Sequence, residues 1–517
     1  MVVSAKAALA LLACVLCCYA PTPSSAAAAD FLRCLSASVP SQLVFTPGSP
    51  SFTSVLASSV RNPRFLTLGT VRPLCIVAAA NASHVQAAVL CGRRHGVRLR
   101  VRSGGHDYEG LSYRSVRPEE FAVVDLAGLR DVRVDRAAAA WVGSGATVGE
   151  LYYAVAAADP QLAFPAGVCP TIGVGGHFSG GGIGMMMRKH GLSVDNVLDA
   201  TLVDASGRML DRKAMGEALF WAIRGGGGGS FGVVLSWKVR LVRVPPRVTA
   251  FTIQKTVAQG AIDAVTKWQT LAPALPEELT IRVIIQNQQA RFQSLYLGTC
   301  DQLLPVMSSR FPELGMSRAD CREMSWLQSA LYINSGSTGQ PLEALLNRTT
   351  SLSTFTKNKS DYVKQAITRE SWQKIFPWFN GPSAGLIILE PHGGQVSRIA
   401  DGDTPYPHRS GVLYNIQHIA FWSGDGTAAT TWINGFYSFM GQFVTKNPRA
   451  AYVNYRDLDI GQNAVVGGVT SYDSGRVWGE KYFGAANFKR LAITKGKTDP
   501  GDYFRNEQSV PPLVPIK

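Results

Sequence analysis

The sequence predicts an α+β protein of two lobes, and three observations predict it. Short strand-like runs alternate with amphipathic helical stretches along the first half of the chain. Glycines gather between Gly143 and Gly232 instead of spreading evenly. Near Pro245-Pro246 the character changes, and the stretch to Phe421 carries its own strands and helices without glycine clusters. A chain of 517 residues, 46% hydrophobic and 17% charged, has the apolar material for such a fold and is not composed like a disordered one.

The start of the chain reads as a signal peptide. Lys6 gives a positive beginning, Ala7 to Ala20 an apolar stretch, and Ala26 to Ala29 small-residue cleavage sites. Pro21 and Pro23 interrupt the segment before it reaches spanning length, and no later run is long enough without charge to cross a bilayer. The mature chain is expected to begin near Ala29 or Asp30, soluble and exported to the cell exterior or wall.

Cleavage would remove Cys14, Cys17 and Cys18 and leave Cys34, Cys75, Cys91, Cys169, Cys300 and Cys321. So sparse a set suggests one or two disulfides, not a disulfide scaffold. Sequons at Asn81, Asn347 and Asn358 are the expected glycosylation sites. The net charge is +15, but the basic residues are scattered, so no nucleic-acid partner is expected. Attraction to an acidic wall polysaccharide such as pectin accounts for the charge, and so does solubility alone.

Ser83 to Gly96 has helical spacing and ends on His95-Gly96. Val97 to Val101 alternates like a strand and runs into the loop Arg102-Ser-Gly-Gly-His106. Phe121 to Leu126 reads as another strand, Ala140 to Gly145 leads into a second glycine-bearing turn, and Val148 to Ala156 reads as a helix. Beyond Pro246, Leu279 to Ile285 reads as a strand and Leu342 to Leu346 as an amphipathic helix. The tail from Gly461, rich in Gly, Tyr, Asn and Lys, does not read as a domain of its own.

Three glycine-rich segments carry the chemistry: Val101 to Tyr113, Pro165 to Gly184, and Leu219 to Val234. Glycine lets backbone N–H groups approach phosphates and carbonyls closely, and three such segments suggest a large phosphate-bearing ligand. None is a P-loop, and Gly173-x-Gly175 lacks the strand-turn-helix setting of a dinucleotide fingerprint, which disfavours nicotinamide cofactors. Cys169 has no Cys-x-x-Cys partner and the histidines are dispersed, so no metal is expected.

These segments resemble the FAD-linked oxidases of the vanillyl-alcohol oxidase (PCMH-type) fold, and specifically the plant berberine bridge enzyme-like family, over essentially the whole mature chain. The resemblance implies a signal peptide over 1–28, an FAD-binding domain over 29–245 and a substrate domain over 246–460 whose antiparallel sheet covers the flavin. The segment 461–517 would return to the FAD domain. It further implies FAD bonded twice, through His106 to the 8α carbon and through Cys169 to C6. Imidazole and thiolate suit such electron-poor positions. Arg102, Ser103, Gly104, Gly105 and Asp107 would cradle the pyrophosphate, with Gly145, Ala146, Gly173, Val174, Gly175, Gly176, Gly232 and Val233 around the rest. Gly225 to Gly229 read equally as a turn, and His177 as structural. The resemblance pairs Cys34 with Cys91, while Cys75, Cys300 and Cys321 have no role and read as buried thiols.

Oxidising an alcohol requires a base for the hydroxyl proton. The segment Tyr452-Val-Asn-Tyr-Arg-Asp457 resembles the family motif whose tyrosine is that base, which gives Tyr455, with Arg456 as an electrostatic aid or, by strand alternation, on the opposite face. On the strand Leu413 to His418, Asn415 and Gln417 share a face toward substrate, and Gln417 has no carboxyl where berberine-forming relatives have one. Asn415 and Ile183 depart from monolignol-oxidising relatives. Ile172 falls at the position resembling the family's oxygen gate, where a bulky residue tilts the expectation from oxidase to dehydrogenase. The expected function is oxidation of an alcohol, or a sugar hydroxyl or lactol, by a monomer. A catalytically silent flavin- or polysaccharide-binding wall protein of allergen type is the alternative.

Overall fold

The computed structural model describes residues 23–67, 69–135, 137–349 and 354–514. The signal-peptide reading falls largely outside them, although its cleavage region lies in the opening helix, Pro23–Ser36.

Two sheets build the first lobe. Ile76–Ala78 and Arg98–Arg102 run parallel to Phe121–Asp125 between them, with Val44–Phe45 antiparallel at the edge. The crossover between Ile76–Ala78 and Arg98–Arg102 is the helix Ala82–His95. Its start is set by the Asn81 side chain accepting from His84 N–H, and its end by Gly96 in a left-handed conformation, φ 71°. Cys34 and Cys91 are bonded, tying the opening helix to this one. The second sheet is antiparallel, in the order Val132–Val134, Ala139–Gly143, Val233–Arg240, Val197–Val203, Met209–Leu210.

After Pro246 the chain enters a seven-stranded antiparallel sheet, ordered Arg322–Met324, Val248–Thr256, Gln289–Tyr296, Leu279–Gln286, Leu386–Pro391, Tyr414–Trp422, Phe355–Val363. Alternation gives it two unlike faces. Ile281, Val283, Ile285, Ile387, Leu389, Tyr414 and Ile416 point to a core of Trp268, Trp372 and Phe436. Arg282, Ile388, Glu390, Gln417 and Ile419 point the other way, at the first lobe. Both lobes mix helix and sheet, an α+β fold.

Three expectations change here. Leu342–Leu346 is a 3-10 turn. Cys300 and Cys321 are bonded to each other, not free thiols; Cys75 alone is a buried thiol, its pKa pushed up by burial to about 12. Asn358 lies inside the strand Phe355–Val363, 1% exposed, where its Oδ1 accepts from Gln417. A glycan has no room there, whereas Asn81 and Asn347 are exposed. The tail holds a helical segment, Tyr472–Thr498, broken into two helices at Gly484 (φ 69°), and its Trp478, Phe488 and Leu491 join the first-lobe core with Phe178 and Trp237.

Candidate active site

A cavity of about 490 Å³ lies between the glycine loops and the polar face of the seven-stranded sheet. On the loop side, strand Arg98–Arg102 delivers the chain to Gly104, Gly105 and His106. Gly105 has φ 70°, and a Cβ there would sit 1.7 Å from the Ser59 carbonyl oxygen. The Gly104 and Gly173 backbones touch, each Cβ falling within 2.3 Å of the other's nitrogen. The two loops are thereby locked face to face, and His106 and Cys169 share one neighbour. His106 Nε2 stands 2.9 Å from Thr171 Oγ1, and Cys169 Sγ 3.3 Å from the same oxygen.

Burial first, then the charge of Arg61, lowers the His106 pKa to about 3, against an opposing Thr171 backbone hydrogen bond; the imidazole is neutral at working pH. Arg61 donates to the Gly104 carbonyl at 3.2 Å and is coupled electrostatically to Cys169. Cys169 is a half-buried free thiol.

Several residues assigned to the cradle turn elsewhere. Arg102 is fully buried, with Nε 2.9 Å from Asp125 and further N–H groups on Asp125 and the Leu56 and Val55 carbonyls, and it does not line the cavity. Asp107 borders the cavity, but its carboxyl accepts from Glu109 N–H and faces Arg456 at 3.4 Å, and it has no donor to offer a phosphate. Gly145 is glycine because a Cβ would strike the Leu126 carbonyl at 1.6 Å. Ala146, Val174 and Val233 are core. Ser103, Gly104, Gly105, Ile172, Gly173, Gly175, Gly176 and Gly232 do line the cavity, joined by Gly227 to Gly229 of the third segment. His177 is structural: its Nε2 accepts from Gly167 N–H at 2.9 Å, and burial lowers its pKa to about 4.

On the sheet side, Gln417 Nε2 donates to Tyr108 Oη at 3.0 Å and to Asn358 Oδ1 at 2.8 Å. Asn415 is fully buried, donates to the Asp361 carbonyl, and does not reach the cavity wall. Tyr455 lies in a turn closed by its N–H to the Tyr452 carbonyl, not in a strand. Its hydroxyl donates to Glu390 Oε2 at 3.1 Å, and its ring meets Tyr452 and Tyr108 edge-on at 5.0 and 6.2 Å.

Arg456 contacts Asp107 at 3.4 Å and the Gln508 carbonyl, away from the Tyr455 phenol. Burial and the Glu390 charge push Tyr455 well above the ordinary tyrosine range, so the expected Arg456-favoured phenolate is not what this site holds. Glu390 is 8% exposed and 3.8 Å from Arg282; burial raises its pKa, while Arg282 and Tyr455 oppose the rise. Glu390, Arg282 and Tyr108 complete the site and were not singled out from the sequence.

The FAD binding domain family matches residues 73–212, and the berberine and berberine like family matches residues 451–511. Berberine bridge enzyme-like Cyn d 4 of Cynodon dactylon is 59% identical over 488 residues, 94% of this chain and 93% of the relative. The chain belongs to the berberine bridge enzyme-like family. It is an FAD-dependent oxidoreductase.

Other members are close in sequence and shape. Berberine bridge enzyme-like 27 of Arabidopsis thaliana is 46% identical, covering 93% of this chain and 92% of the relative. Phl p 4.0202, solved as a glucose dehydrogenase, is 54% identical with a TM-score of 0.93, covering 94% of this chain and 100% of that one. A dehydrogenase variant of berberine bridge enzyme acting on reticuline is 37% identical with a TM-score of 0.88, covering 94% of this chain and 100% of that one.

The residues present fit FAD. Gly176 and Gly229 line the cavity with no atom within 4 Å of where a Cβ would stand, room that a diphosphate or isoalloxazine can fill. A neutral imidazole and a free thiol stand at one wall of the cavity.

Proposed function

We propose that the chain is a secreted dehydrogenase that oxidises a sugar hydroxyl or lactol, or a related alcohol, with FAD bonded to both His106 and Cys169. The observation that carries this reading is the Tyr455–Glu390 hydrogen bond in the wall of the cavity that His106 and Cys169 also line. The bound flavin supplies a hydride acceptor.

The chain's own residues then manage the proton. Tyr455 holds its proton at neutral pH, so it takes the substrate's hydroxyl proton as it passes its own to Glu390 Oε2. General-base help of this kind contributes about 10²–10⁴-fold. Arg282, 3.8 Å away, opposes the rise that burial imposes on the Glu390 pKa. Gln417, with both donors held by Tyr108 and Asn358, keeps its carbonyl oxygen for a second hydroxyl. The hydrogen-bonding groups Arg282, Tyr108, Gln417 and Asn334 in the cavity wall can serve the several hydroxyls of a polyol, alongside apolar neighbours such as Ile183, Ile388 and Ile419.

Ile172 supports a dehydrogenase over an oxidase. Wild-type Phl p 4 is described as a glucose dehydrogenase and an isoleucine-to-valine variant of it as a glucose oxidase. The two disulfides and the apolar N-terminus support export, and the net charge of +15 supports a salt-sensitive association with acidic polysaccharide.

The test is a screen of glucose, oligosaccharides and simple alcohols for bleaching of the flavin absorbance under a dye acceptor. At least one sugar should bleach it in the wild type, and Tyr455→Phe should keep its flavin while losing most of that rate. No bleaching by any sugar or alcohol would leave a silent flavin-binding protein instead.

A further inference from the structure

We propose that the Thr171 hydroxyl is the positioning group that makes His106 and Cys169 reactive together, so that flavin attachment at both depends on one hydroxyl. The inference rests on the twofold attachment proposed above and goes beyond it to how this chain prepares the two bonds.

Thr171 Oγ1 is the one atom hydrogen-bonded to both side chains, at 2.9 Å from His106 Nε2 and 3.3 Å from Cys169 Sγ. Thr171 is 5% exposed, so bulk water does not compete for these bonds. A hydroxyl has one hydrogen to give, so the chain of two bonds runs one way or the other. If Sγ–H donates to Oγ1 and Oγ1–H to Nε2, the sulfur stays a thiol and the ring proton moves to Nδ1, which silences both nucleophiles. If instead Nε2–H donates to Oγ1 and Oγ1–H to sulfur, the Nδ1 lone pair is free and the sulfur accepts a hydrogen bond, its own proton no longer held by Thr171. Both nucleophiles are then presented at once; each bond replaces a C–H hydrogen that leaves as a proton, and the two electrons left on the ring each time pass to an external two-electron acceptor such as dioxygen.

Arg61 selects the second arrangement. Its guanidinium, fixed to the Gly104 carbonyl two residues before His106, favours negative charge on Cys169 and disfavours a second positive charge on His106. Tyr108 also faces the sulfur, and burial pushes it up to about 12, so it is neutral. Buried Cys75, which has neither a hydroxyl nor a cation among its pKa influences, is held far above the reactive range.

Thr171→Val keeps the shape and removes the hydroxyl, and Thr171→Ser keeps the hydroxyl. Full-length protein is purified with its flavin, acid-denatured, and digested, and the His106 and Cys169 peptides are weighed. The proposal expects doubly attached flavin in Thr171→Val to fall at least tenfold below wild type, with Thr171→Ser within about twofold of it. Flavin still present before denaturation marks Thr171→Val as folded. Wild-type levels of double attachment in Thr171→Val overturn the proposal. Should Thr171→Val not fold, Thr171→Ala beside Thr171→Ser decides, since equal double attachment in these two overturns it as well. A wild type without any attached flavin sinks the twofold attachment itself, a different result.

Discussion

The hydroxyl of Tyr455 points at the carboxylate of Glu390, 3.1 Å away, while the neighbouring Arg456 turns to Asp107. That orientation supports the proposed proton acceptor as a pair: the Tyr455 phenol backed by the buried Glu390 carboxyl.

The pair gives the reaction an acid limb. Glu390 must be ionised to accept, and burial raises its pKa, so turnover should fall as pH drops through a value above the ordinary glutamate range. Glu390→Gln should lower kcat by about 10²-fold or more and abolish that limb, with KM changed far less. The check is kcat and KM across pH under a dye acceptor.

Ile172 should govern oxygen, not sugar. Ile172→Val is expected to raise the rate of reoxidation by dioxygen at least tenfold while leaving dye-linked turnover within about twofold. Stopped-flow reoxidation of the reduced protein measures both.

A buried charge cluster holds the site together across the lobes. Lys357 Nζ contacts Glu109 and, at 2.7 Å, Asp457; Lys359 contacts Asp457 at 3.0 Å and Asp459 at 2.6 Å. Glu109 follows Tyr108 and Asp457 follows Tyr455 by two, so the ion pairs pin both tyrosines. Removing one partner leaves buried carboxylates uncompensated, and Lys357→Met should cost about 3–5 kcal/mol in denaturant unfolding.

The Cys300–Cys321 bond closes a 21-residue loop in the second lobe. Its loss in Cys300→Ser/Cys321→Ser should destabilise that lobe by about 3 kcal/mol, read as an earlier urea transition of its tryptophan fluorescence.

Glycan mapping should find occupancy at exposed Asn81 or Asn347 and none at Asn358, which the sheet encloses. A glycosylated Asn358 in folded protein would contradict the register of that strand.

That His106 and Cys169 would border one cavity was legible, because each sits in a contiguous glycine-rich segment. Glu390 and Arg282 were not. They stand on strands far apart in sequence, Leu386–Pro391 and Leu279–Gln286, and only the register that sets Val283 opposite Leu389 brings them together. One signal was available: a glutamate in the otherwise apolar run Leu-Ile-Ile-Leu-Glu-Pro is a charge that must find a buried partner. The helix Tyr472–Thr498 was hidden by its glycines, which lower helix propensity. Gly479 is there because a Cβ would lie 2.1 Å from the Phe488 ring, a packing demand invisible before the fold is known. The pairing of Cys300 with Cys321 was likewise undetermined by spacing, since it depends on the chain bringing Cys300 beside the strand Arg322–Met324.

The central claim, flavin bonded at both His106 and Cys169, is tested most directly by the absorption spectrum and intact mass of acid-denatured protein. Wild type, His106→Ala and Cys169→Ala should each keep flavin on the polypeptide, and the double variant should lose it. Flavin released freely from denatured wild type would contradict the claim.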